Sequence, residues 1–312
     1  MLQGSNVDLP NLTAVDIQAA IAGIEAIDAP LRGGQKLVFP CTISGQRCAL
    51  KVLLASQSAQ SGSSEDASFE GLDEVTARAR REVEIMGQCD SPHVVKLGPL
   101  PLTAANIRGQ SVVYFSEEWV HGRDLKAIIR EDGPLPLAGV VRLGKHIAEA
   151  VGVLWSHAKI HRDIKPGNIM HRDATGDFVL LDMGLVLDLG DVSLTPIGLV
   201  PGTLIYFSPE QAEFANKRQM DFRSDLFSLG IVLYEAVTGH HPFWERGMSS
   251  LNGLARMLQS SAVHPSVHRT EIPPQMADVI LRLLAKRPHM RYRTCPDLIA
   301  ALDAITLQAE GR

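Results

Sequence analysis

The sequence predicts an α+β fold in which a small β-rich region precedes a larger, mostly helical one. Three observations predict it. Between Leu37 and Leu54 two apolar runs flank a Ser44-Gly45 turn, the pattern of a β-hairpin. From Val140 through Leu143, Ile147 and Val151 to Leu154, apolar residues recur every three or four positions, the spacing of a buried helix face. Leu226 to Val237 is almost uniformly apolar and stops before Gly239, a residue suited to a helix C-terminus.

The remaining elements follow in chain order. Residues 11–27 carry Val15, Ala19, Ala22 and Ala26 at helical spacing, with Ile17, Ile21 and Ile24 beside them. They predict a short helix capped near Asn11 or Thr13. This N-terminal helical extension, 1–28, can pack on the β-rich region as scaffold, or serve as a homodimer contact or an arm for a regulatory partner. Ser56 to Glu74 is rich in Ser, Gly, Gln and acidic residues without periodicity, which predicts a flexible insert over 56–75. Thr76 to Gln88 reads as a charged helix, and Val94–Leu97 and Val112–Ser116 as further strands. Met276, Val279, Ile280, Leu283 and Leu284 form another helical stripe ending near Lys286-Arg287. Thr294-Cys295-Pro296-Asp297 reads as a capping segment with an early proline. No internal repeat is visible. The β-rich region then covers 29–118 and the helical region 119–312.

With 312 residues, 45% hydrophobic and 21% charged, the chain has the composition of a soluble protein of one large domain or two joined lobes. A net charge of −5 gives no pointer to nucleic acid or an anionic membrane. Cys41, Cys48, Cys89 and Cys295 make no metal-binding spacing and read as reduced thiols. The first residues lack the basic and apolar segments of a secretion signal. No stretch reaches the roughly 18 apolar residues of a membrane helix. A cytoplasmic protein without a membrane partner is expected.

The chemistry concentrates in His161-Arg162-Asp163-Ile164-Lys165-Pro166-Gly167-Asn168, followed by Asp182. Phosphoryl transfer needs a positioned nucleophile, metal ions on the phosphates and fixed positive charge. Asp163 can accept a hydroxyl proton, and Lys165 can neutralise a transferred phosphoryl group. Asn168 can bind a metal ion. Asp182 follows the apolar run Phe178–Leu181, so a strand end can aim its carboxylate at Mg²⁺. His171-Arg172-Asp173 repeats three of these letters without the lysine and asparagine, and reads as part of a hairpin connection.

These segments resemble the catalytic and metal-binding loops of eukaryotic-type (Hanks-type) serine/threonine protein kinases. Further likenesses keep their order across roughly residues 30–305. The resemblance implies a bilobal protein-kinase-like fold that uses ATP with Mg²⁺, or Mn²⁺, and phosphorylates Ser and Thr of protein substrates. It implies that Lys51, in Ala49-Leu50-Lys51, holds ATP phosphates and is itself held by Glu82. Gly33, Gly34 and Val38 would cover the nucleotide, Ala49 would touch adenine, Glu118 to Val120 would pair with the adenine edge, and Asp124 would contact ribose. His161 takes a structural role, and Arg162 can pair with a phosphate on Thr195 or Ser193. Thr203 bonds within the catalytic loop. Glu210, in Ser208-Pro209-Glu210, pairs with Arg291, and Asp225, followed by Ser228-Leu229-Gly230, resembles a helix of the family with a structural or regulatory role. Ser-Pro-Glu-Gln at 208–211 and Gly239 to Phe243 are similar to bacterial members.

Two features depart from the family pattern, the phosphate-covering loop and Glu117. Leu31 and Lys36 stand where its phosphate-covering loop has glycines, and only Gly33 matches, with Gly34 beside it. Glu117 falls at the gatekeeper position, normally apolar or hydroxylic, and a carboxylate there needs a partner. Both departures favour a second reading, a pseudokinase acting as a nucleotide-binding scaffold or allosteric regulator. The complete set Lys51, Glu82, Asp163, Asn168 and Asp182 favours an active enzyme. A small-molecule phosphotransferase is disfavoured by the segments 202–210 and 225–230, which resemble protein-substrate machinery.

Overall fold

A computed structural model describes residues 12–33, 36–54, 65–185, 187–188, 204–212 and 220–307. The chain forms two compact units. The first comprises residues 1–88 and 95–119, the second 89–94 and 120–312.

In the first unit, helix α1 (Ala14–Ala20) opens on a capping box. Thr13 accepts from the Asp16 amide, and the Asp16 carboxylate accepts from Thr13 in return. The helix is shorter than the sequence pattern over 11–27 implies. Gly23 takes a left-handed φ of 88°, and residues 24–27 form strand β1 (Ile24–Ile27) instead. Pairing decides this: β1 lies antiparallel to β3 (Lys36–Ile43), with Ile27 opposite Cys41. Strand β2 (Leu31–Gly33) pairs with β3 from Leu31↔Val38 to Gly33↔Lys36. The predicted hairpin is present. β3 and β4 (Gln46–Leu54) are joined by Ser44 and Gly45, both at positive φ, as a two-residue turn that matches strand twist requires. Helix α2 (Glu65–Gln88) starts well before Thr76, so the stretch expected to be irregular is helical from Glu65 onward. Residues 56–64 lie outside the described residues. Strands β5 (Thr103–Ile107) and β6 (Gln110–Glu118) complete a sheet ordered β1-β3-β4-β6-β5.

The sheet has two chemically different faces because strand side chains alternate. One face puts Leu37, Phe39, Cys41, Leu50, Val52 and Val112 into a core shared with Ile17 and Ile21 of α1. Cross-strand register places Val38, Ala49, Lys51, Phe115 and Glu117 together on the other face.

In the second unit, β7 (Gly122–Asp124) leads into α3 (Leu125–Asp132) and α4 (Leu137–Ser156). The apolar stripe predicted for α4 is its buried face, from Val140 to Leu154. Short strand β8 (Lys159–Ile160) precedes the His161–Asn168 loop. β9 (Ile169–Arg172) and β10 (Phe178–Leu180) form the hairpin that carries His171-Arg172-Asp173, with β7 on the far side of β9. β11 (Leu187–Asp188) pairs with β8. The short helix α5 (Pro209–Ala212) precedes α6 (Phe222–Thr238), which is buried nearly all round and ends at Gly239 in the left-handed conformation. Three more helices follow: α7 (Ser250–Gln259), α8 (Pro274–Leu283) and α9 (Cys295–Asp303), the last capped by Thr294. Val94 and Leu97, expected in a strand, make only isolated bridges, to Leu180 and Glu117 respectively. Pro92, Gly98 and Pro99 leave too little chain between them for a ladder. All four cysteines are free and buried, and no described helix is long and apolar enough to cross a membrane.

Candidate active site

Each unit carries part of the predicted site. In the first, Lys51 is buried on β4 and donates to Glu82 Oε1 of α2 at 2.6 Å. Its Nζ also donates to Glu117 Oε1 of β6 at 2.5 Å. The second contact answers the need of a buried carboxylate for a partner. Burial pushes the Glu117 carboxyl above the usual range, and the Lys51 ammonium opposes that push. Val38 lies directly across from Lys51, and Ala49 directly across from Glu117. Gly33 pairs with Lys36, whose Nζ stands 3.9 Å from Glu82 Oε1. Gly34 lies outside the described residues. The Glu118 amide donates to the Lys96 carbonyl, and its carboxylate accepts from the Lys96 amide.

In the second unit, the loop from His161 to Asn168 folds around Asp163. Lys165 Nζ reaches both carboxylate oxygens, at 2.9 and 2.7 Å. Asn168 Nδ2 donates to the Asp163 carbonyl and to Oδ2, each at 2.9 Å. Burial raises the Asp163 carboxyl, Lys165 counters it, and nearby Asp182 adds to it. A carboxylate so placed is a better proton acceptor than a solvated one. The His161 ring fixes its own tautomer: Nδ1 accepts from the Asp163 amide, so Nε2–H donates to the Leu181 carbonyl.

The loop backbone is held from α6. Asp225 accepts from the amides of His161 and Arg162 at 2.7 and 2.8 Å. Arg162 sits at a left-handed φ of 69°, which these bonds help impose. Gln211 donates to the Arg162 carbonyl. The Arg162 guanidinium is buried near Asp225, and its Nε has no hydrogen-bond partner among the described residues. Asp182 is also at positive φ, 65°, which turns the chain directly after β10.

The donor set fits a hard divalent cation. Asp182 offers a carboxylate, and Asn168, having spent its amide nitrogen on Asp163, keeps Oδ1 as an acceptor. Asp124 uses one carboxylate oxygen to cap α3 at the Ala127 amide. Glu210 and Arg291 form the expected pair. Thr195 and Thr203 lie outside the described residues. Sequence reasoning missed two contacts here. Tyr206 donates its hydroxyl to Glu235 at 2.8 Å, and Glu117 meets Lys51. For the latter the sequence signalled only that a carboxylate at Glu117 needs a partner. Beside the loop, a cavity of about 880 Å³ is lined by Lys165, Tyr206, Glu235, His240, Trp244 and Arg246, among others.

The sequence matches the protein kinase domain over residues 32–301. A probable serine/threonine-protein kinase of Clostridium perfringens is 32% identical over 237 residues, covering 76% of this chain and 33% of that protein. One from Corynebacterium efficiens is 33% identical over 288 residues, covering 90% of this chain and 41% of that protein. The serine/threonine-protein kinase PknE of Mycobacterium tuberculosis is 33% identical over 234 residues, covering 75% and 39%. The chain thus spans between 33% and 41% of the length of these relatives.

Proposed function

Because this chain belongs to the protein kinase domain family, we propose that it transfers the γ-phosphate of ATP to Ser and Thr hydroxyls of protein substrates, its own chain included. The observation that carries the reading is Asp163 held between Lys165 and Asn168, with Asp182 nearby. An acceptor oxygen forms a bond to the γ-phosphorus, the bond from that phosphorus to the β–γ bridging oxygen breaks, and ADP leaves. The hydroxyl proton passes to the Asp163 carboxylate, whose raised affinity for protons suits it to the task. Lys165 compensates charge on the phosphoryl oxygens. Lys51, kept in place by Glu82, orients the α- and β-phosphates. Mg²⁺ or Mn²⁺ bound through Asp182 and Asn168 would supply charge neutralisation on the phosphates.

A protein substrate is favoured over a small one by the cavity of about 880 Å³ that Lys165 lines together with Tyr206, Trp244 and Arg246. Phosphorylation of Thr195 belongs to the same reading, since the Nε of the buried Arg162 guanidinium has no hydrogen-bond partner among the described residues. A cytoplasmic location, with no nucleic-acid or membrane partner, completes it. The pseudokinase reading is favoured by one observation, that Glu117 occupies Lys51. Incubation with labelled ATP, either metal and a generic protein substrate separates the two. Wild type should label the substrate and Asp163→Asn should not; equal labelling by both proteins removes the enzymatic reading.

A further inference from the structure

Lys51 is gripped by two buried carboxylates from different elements. Glu82 of α2 stands at 2.6 Å and Glu117 of β6 at 2.5 Å, and both side chains are nearly inaccessible. Sheet register makes the second contact unavoidable. Ala49 faces Glu117 and Lys51 faces Phe115, so Lys51 and Glu117 are diagonal neighbours on one sheet face. The small side chain of Ala49 leaves the carboxylate room to lie along the strand toward the ammonium.

We propose that Glu117 is a positioning residue that holds Lys51 in the nucleotide-free protein and takes up a proton when nucleotide phosphate claims the lysine, so that nucleotide binding is coupled to protonation. The inference rests on the reading that Lys51 binds phosphate.

The coupling is electrostatic. When Lys51 turns to a phosphate, Glu117 is left in the interior without the cation that balances it. An isolated buried carboxylate is among the costliest groups a protein can hold, and gaining a proton is its cheapest relief. The other charged groups facing it do not replace Lys51. Glu82 of α2 repels it, and Lys36 of β3, which lies 3.9 Å from Glu82, attracts it more weakly than Lys51 does. Burial already raises the Glu117 carboxyl in the free protein, and losing the Lys51 ammonium that opposes this shifts it further toward the protonated form. Glu82 Oε2, buried and without a hydrogen-bond partner among the described residues, offers a protonated neighbour an acceptor.

The sign is fixed by the cycle. The nucleotide-bound state carries more protons than the free state, so binding tightens as pH falls. One whole linked proton corresponds to about tenfold in affinity per pH unit. Glu117→Gln keeps an oxygen acceptor for Lys51 and removes the charge. That variant should bind nucleotide several-fold tighter at pH 8, lower KM for ATP with little change in kcat, and lose the pH dependence.

The test is calorimetric titration of the full chain with ADP and Mg²⁺ at pH 8, where the nucleotide phosphates are ionised, in buffers of different ionisation enthalpy. Wild type should show proton uptake on binding, and Glu117→Gln should show none. Glu117→Met, which lacks any acceptor, should behave as Glu117→Gln does. Nucleotide binding by wild type without proton uptake overturns the inference and needs no variant to do so. Equal affinity and equal uptake in wild type and Glu117→Gln overturns it as well. Failure of every protein to bind nucleotide is a different result and sinks the proposed function together with this inference.

Discussion

Arg291 and Glu210 meet face to face: Nη1 donates to Oε1 at 2.6 Å and Nη2 to Oε2 at 3.0 Å, with the arginine side chain fully buried. The guanidinium also donates to the carbonyls of Ala285, Arg223 and Lys286. It therefore ties α5, α6 and the segment after α8 to one point. Removing one partner of such a pair leaves an uncompensated buried charge, which costs about 3–5 kcal/mol. Glu210→Ala should lower stability by that amount, read from urea unfolding, and Arg291→Leu should cost at least as much through the lost carbonyl contacts.

Gly122 has a φ of 151°, and a Cβ built on it would stand 1.8 Å from the His171 carbonyl oxygen. No rotamer relieves a clash with backbone. Gly122→Ala should either open the β7–β9 pairing or cost at least ~3 kcal/mol. Comparing its thermal midpoint with that of Gly167→Ala, whose Cβ meets nothing within 4 Å, isolates the effect.

Stability should fall as the solution becomes acidic, through histidine. Burial pulls the imidazoles of His146 and His241 down to about 4. In the unfolded chain they titrate near 6.5 (~6.5 in model peptides). Between those values the unfolded chain binds more protons than the folded one, so unfolding becomes easier as pH drops from about 6.5 toward 4. The contribution is fully present above that window and is on the order of 3 kcal/mol per group at most. Urea midpoints at several pH values should show the slope, and His146→Asn should flatten part of it.

Asn168 supports Asp163 by two hydrogen bonds and is the proposed second metal ligand. Asn168→Ala should lower kcat by about 10² or more and raise the Mg²⁺ concentration needed for half-maximal rate. Lys165→Ala should lower kcat without moving the Mg²⁺ requirement. A metal titration of both variants checks the division of roles.

Local signals made much of this molecule legible in its sequence. Ser44-Gly45 specifies its own hairpin, Gly239 its helix end and Thr294 its cap, because each acts within a few residues. The Asp163 cluster is legible for the same reason, since its members lie within five positions. What depends on distant pairing was not legible. Residues 24–27 carry apolar spacing that a helix could use, and only β3 as a neighbour makes them a strand. Arg291 and Glu210 are 81 residues apart, so only the family resemblance paired them. Glu117 was visible as an anomaly, but the lysine that explains it required the β4–β6 register.

The bonds from the His161 and Arg162 amides to Asp225 place two loop amides under the protection of α6, a helix buried nearly all round. Loop amides ordinarily exchange with solvent through small local openings. These two can exchange only when α6 itself comes away, which amounts to unfolding the second unit. In deuterium exchange they should rank with the interior of α6 among the slowest amides of the protein. The turn that carries Asp163 is then a loop by geometry and part of the core by opening energy.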